Sequence, residues 1–91
     1  DNVARLGEGV NHQGGSRQVR DLQHMLNGMG LRGADNRPLR TDGDFGANTH
    51  AAMQELARRA AAAGRTIDPA AVTREDMQWM QQNAQRLSQP A

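Results

Sequence analysis

Four valines and one isoleucine (Val3, Val10, Val19, Val72 and Ile67) are the only β-branched aliphatic residues in a chain of 91, and its aromatics are one phenylalanine and one tryptophan. Sheets are built mainly from those residue types, because branched and flat side chains pack well on a pleated surface. A chain so poor in them fills its core with leucine, alanine and its five methionines. Those are helix formers, so the expected fold is all-α. The length leaves room for one compact core, since domains usually need on the order of 100 residues to bury one.

The periodicity places three helices. Residues 1–15 carry four glycines and no sustained apolar period, and read as a linker arm. Ser16 suits an N-cap, and Val19, Leu22, Met25, Leu26 and Met29 follow at helical spacing. Gly30 stands where a left-handed residue ends the helix. Leu31 to Gly46 is crowded with Gly, Pro, Asn and Asp and reads as a long loop with tight turns. A second helix is expected over about residues 47–63, with Met53, Leu56 and Ala60 on its apolar line and Gly64 closing it. After a connector holding Ile67, Asp68-Pro69 and Val72, a third helix begins at Thr73, whose spacing from Asp76 resembles a capping box. Met77, Met80, Ala84 and Leu87 mark its stripe. The domain therefore spans residues 16–87, a compact three-helix bundle with a long loop between helices 1 and 2 and a frayed tail at 88–91.

Several function classes fall away on composition. All eleven basic residues are arginine and ten acidic residues leave a formal charge of +1, far from the concentrated positive charge that displaces counterions from a duplex. Neither nucleic acid nor membrane is an expected partner, for no apolar run approaches the roughly 20 residues of a membrane span. There is no cysteine. His12, His24 and His50 lack the i, i+4 pairing of a helical zinc site, and Asp42 and Asp44 lack the further oxygens of a calcium loop, so no metal or cofactor is expected. Ser16 and Ser88 occupy helix-end or tail positions, not a strand-to-helix elbow. Asp44 and Glu55 are the carboxylates to weigh for acid–base work, with nothing in the sequence to raise either pKa. The chain is read as no enzyme. It opens on Asp1 rather than methionine, which reads as a processed protein or a segment cut from a longer one, with the segment favoured.

Two stretches carry a resemblance. The helix Val19-Arg20-Asp21-Leu22-Gln23-His24-Met25-Leu26, then Gly30, then Asp42-Gly43-Asp44-Phe45-Gly46-Ala47-Asn48-Thr49-His50-Ala51-Ala52 reproduce a V-x-x-L-Q-x-x-L helix, a glycine and a D-G-x-F-G-x-x-T-x-x-A turn. In this order and spacing they resemble the peptidoglycan-binding domains of bacterial cell-wall hydrolases. Val19, Leu22, Gln23, Leu26, Gly30, Asp42, Gly43, Phe45, Gly46 and Thr49 are its structural positions. The resemblance runs from Gly15 to Met53; beyond it the family's Phe-Gln pair and second D-G turn are replaced by Glu55-Leu56 and Asp68-Pro69.

The resemblance implies a monomeric, non-catalytic module in the periplasm or outside the cell. It would bind peptidoglycan and hold an attached cell-wall hydrolase or secreted antibacterial effector there. Peptidoglycan offers hydroxyls, amides and stem-peptide carboxylates, so its groove needs arginine and amide side chains. The loop supplies Arg32, Asn36, Arg37, Arg40, Asp44 and Asn48, set against the plainer reading of a solvated loop. Trp79 is either a sugar-stacking platform or an edge of an aromatic-poor core, and the area argument favours the core. The absent second-half signatures motivate the alternative, a protein-interaction or spacer domain without sugar binding, marked by an exposed apolar or methionine-rich patch, with Met25 and Met29 as candidates.

Overall fold

The computed structural model describes residues 2–10 and 15–90. Its elements run β1 (Asn2–Arg5), α1 (Arg17–Gly28), α2 (Ala47–Ala62), β2 (Ala71–Thr73), α3 (Arg74–Gln82) and α4 (Ala84–Leu87). The all-α three-helix bundle is therefore corrected to a mixed fold, in which four helices pack with a two-stranded antiparallel sheet.

The sheet forms where the arm was expected to be a linker. β1 pairs with β2 in the register Asn2↔Thr73, Ala4↔Val72 and Arg5↔Ala71, irregular between Asn2 and Ala4. The Leu6 N–H extends the pairing to the Ala70 carbonyl at 2.9 Å. Two of the five β-branched aliphatics, Val3 and Val72, lie in these strands. Strands of four and three residues are too short for alternation to register, and this pair is closed by partners almost seventy residues apart. Its stability comes from burying Ala4 and Val72, both at 0% exposure, against the helices.

The helices follow local signals. Ser16 caps α1, its hydroxyl accepting from the Val19 N–H at 3.4 Å. At the other end the Leu31 N–H reaches the Leu26 carbonyl and the Gly30 N–H the Asn27 carbonyl, each at 3.0 Å, with Gly30 at φ +77°. That is a Schellman ending, and it turns Leu31 into the core. α2 closes the same way at Gly64. Val19, Leu22 and Leu26 of α1 face Ala52, Met53, Leu56 and Ala60 of α2, and Phe45 fills the space beside them. Each fully buried leucine or phenylalanine contributes about 2 kcal/mol of transfer free energy.

The third expected helix is two. Asn83 adopts φ −116°, ψ 17° between α3 and α4, and its side-chain amide donates to the Trp79 carbonyl at 2.8 Å. An asparagine that bonds its own backbone offers the chain an alternative to helix, and here it breaks the rod so that Leu87 folds onto the core. Arg59 of α2 ties the short α4 down by donating to the Leu87 carbonyl at 2.9 Å.

At the start of α3 the capping box is reciprocal: the Asp76 N–H donates to the Thr73 hydroxyl at 2.9 Å and the Thr73 N–H to Asp76 Oδ2 at 3.1 Å. Asp76 Oδ1 also receives Arg65 Nε and Nη2 at 3.1 and 2.9 Å, and the Arg65 guanidinium lies 5.6 Å from the Trp79 ring centroid. Trp79 is half-buried and packs against the core, as an edge residue does. Asp76→Ala removes the Asp76 half of the capping box and the ion pair together, while the Thr73 hydroxyl keeps the N–H of residue 76, and is expected to cost about 2–3 kcal/mol. Denaturant unfolding checks this against Asp21→Ala, an exposed position where the change is expected to stay within about 0.5 kcal/mol.

Candidate functional site

The loop between α1 and α2 is held by side chains from both helices, and the main one is Gln23. It is 1% exposed, unusual for an amide at mid-helix. Its Oε1 accepts the Gly43 N–H at 2.9 Å, and its Nε2 donates to the Asp44 carbonyl and the Thr49 hydroxyl at 3.0 Å and to Asp42 Oδ1 at 3.2 Å. One turn on, Asn27 grips the Leu39 backbone from both sides: Nδ2 donates to its carbonyl at 2.9 Å and Oδ1 accepts its N–H at 2.7 Å. From α2, Asn48 Oδ1 accepts the Ala34 N–H at 3.0 Å. Among the described residues every buried side-chain nitrogen and oxygen has a partner.

The N-terminal arm completes the support. The Gly7 N–H donates to the Phe45 carbonyl at 2.7 Å and the Phe45 N–H to the Glu8 carbonyl at 2.8 Å, a pair of backbone bonds that joins the arm to the turn. The Ser16 hydroxyl donates to Glu8 Oε2 at 2.7 Å, joining the arm to the α1 cap. Gly43 sits at the crossing of arm and loop with φ +77°. A Cβ there would lie 2.6 Å from the Ser16 nitrogen and 2.8 Å from its carbonyl oxygen, so only glycine fits.

Between the stitched loop and the start of α2 lies an open cleft of about 210 Å³, floored by Gln23, Leu39 and Thr49 and lined by Asp35, Pro38, Arg40, Asp42, Asp44 and Asn48. Of the six residues expected to bind, Arg40, Asp44 and Asn48 meet here. Arg32 and Asn36 line a separate depression with Glu55 and Arg59; Arg37 lines neither. The reason is turn geometry: Asn36 takes the left-handed conformation at φ 63°, and the Arg32 guanidinium is spent on its carbonyl at 3.1 Å. Asp35 and Asn27 were not anticipated. The signal for Asn27 was its position four residues after Gln23, which puts two amides on one helix face.

The cleft is more acidic than an arginine-rich loop suggests, with three carboxylates facing one guanidinium. Asp42 Oδ1 is engaged by Gln23 and by the Asp44 N–H at 3.0 Å, and Asp35 Oδ1 accepts the Arg37 N–H at 3.0 Å.

Asp44 and Glu55 line different depressions. Hydrogen bonds from Arg58, opposed by partial burial and reinforced by Arg59, hold the Glu55 carboxyl below its usual range. That direction is the reverse of what a general acid at neutral pH needs. The Ser16 hydroxyl belongs to the α1 cap and the Ser88 hydroxyl donates to the Ala84 carbonyl at 2.7 Å. Among the described residues no three acidic or histidine side chains are grouped to hold a metal ion, and no helix is long and apolar enough to cross a membrane. His12 lies outside the described residues.

No family model matches the chain, and neither do any curated protein sequences or solved structures.

Proposed function

We propose that this domain is a non-catalytic peptidoglycan-binding module that holds an attached cell-wall hydrolase or secreted antibacterial effector on the wall, in the periplasm or outside the cell. The observation that carries the reading is the cleft beside the D-G-x-F-G turn, where Arg40 and Asp44, on a loop that Gln23 and Asn27 hold in place, and Asn48 at the start of α2 offer a cation, an anion and an amide. A polar, open and pre-organised surface suits a heavily hydrated glycopeptide better than an apolar ligand. Tethering works through effective concentration, so weak intrinsic affinity is sufficient.

The protein-interaction alternative lacks its methionine patch, since Met29 is 2% exposed and Met25 packs against the core; the large apolar side chains exposed among the described residues are Leu6 and Val10 of the arm, at 48% and 39%.

The test is a titration of the ¹⁵N-labelled domain with soluble muropeptides, followed through backbone amide shifts. Shifts concentrated at residues 35–49, together with co-sedimentation with purified sacculi, are the expected result. No shift with any muropeptide and no co-sedimentation at low salt would overturn the reading.

A further inference from the structure

Two opposite charges in the cleft have no protein partner among the described residues. Among the described residues neither the Arg40 guanidinium nor the Asp44 carboxylate takes part in a hydrogen bond or ion pair, although both line the same 210 Å³ concavity. The Asn48 amide that lines the same concavity has its oxygen held by the Ala34 N–H, and its carboxamide nitrogen, a pure donor, is no part of that bond. With three carboxylates against one guanidinium, an anion alone meets net repulsion and a cation alone leaves Arg40 unused. Asp42 and Asp35 already accept N–H groups of the protein, so a ligand group bearing both charges pairs with the two that remain, Asp44 and Arg40.

We propose that the cleft recognises a zwitterionic amino-acid centre, a free ammonium beside a free carboxylate, with Asp44 receiving the ammonium and Arg40 the carboxylate. This rests on the wall-binding reading and sharpens it: in peptidoglycan such a centre is the far end of a diaminopimelate stem residue before its amine is cross-linked. Cross-linking acylates the ammonium and removes its charge. The domain then prefers un-cross-linked stems, the material of growing or freshly cut wall.

Three probes separate the possibilities: a disaccharide–tetrapeptide with diaminopimelate at its third position, the same compound N-acetylated on the free amine, and the same compound amidated on the adjacent carboxylate. The unmodified probe is expected to bind about five- to tenfold more tightly than either derivative, the range of one solvent-exposed charge-assisted contact. Asp44→Asn is expected to abolish discrimination against the acetylated probe while keeping discrimination against the amidated one; Arg40→Gln is expected to do the reverse. Neither charge supports the fold, and unchanged thermal unfolding of both variants checks this. Equal affinity for all three probes would overturn this inference and leave wall binding standing. Absence of binding to all three would overturn both.

Discussion

Gly43→Ala is expected to lower stability by about 3–5 kcal/mol, the largest effect of any single substitution proposed for this chain. The left-handed conformation alone costs a residue with a Cβ about 1–2 kcal/mol. The rest comes from the Ser16 backbone, 2.6 Å from the added carbon, which belongs to the α1 cap and has no free rotation with which to step aside. A domain of this size has roughly 5–14 kcal/mol in total, so the variant is expected to melt at least about 15 °C lower. Gly28→Ala supplies the contrast. An added carbon there meets nothing within 4 Å and the residue is helical, so a gain of up to about 1 kcal/mol is expected. Calorimetry on the two variants decides between a conformational requirement at Gly43 and a general intolerance of larger residues. A loss below about 1 kcal/mol at Gly43 would mean that the loop and the arm can part.

The second large effect is expected from removing the arm. A chain begun at Gly15 loses β1, the Leu6 to Ala70 bond and the two backbone bonds to Phe45. It also uncovers Val72 and strips Glu8 from the α1 cap. Several backbone bonds at about 1 kcal/mol each, plus the exposed apolar area, outweigh the conformational entropy that ordering the arm costs the intact chain. We expect a net loss of about 3 kcal/mol in denaturant unfolding. The amide signals of residues 42–45 are expected to shift most, because the arm holds that turn in place. Unchanged stability and unchanged signals would restore the linker reading of residues 1–15.

What was legible in the sequence was whatever is decided within a few residues. Ser16, Gly30, Gly64 and the Thr73/Asp76 box announce helix ends because a cap is satisfied by the next turn of its own chain. The apolar lines of α1 and α2 follow from a period of 3.6 residues, and the D-G-x-F-G stretch reads as a turn with a buried phenylalanine wherever it stands. Even so, a local competitor was missed: Asn83 splits the last helix by bonding its own backbone, a device visible only when the stripe is not followed straight through it.

Tertiary structure decided the rest, because those features depend on who meets whom across the chain. The strand pair joins residues near opposite ends, and no window on the sequence contains both partners. The same holds for the cleft. Composition named polar loop residues, but the left-handed turn at Asn36 and the amide grips of Gln23 and Asn27 select Arg40, Asp44 and Asn48 and send Arg32 elsewhere. Residue type, in short, set which groups were on offer, and loop closure against two helices and an arm set which of them face the same space.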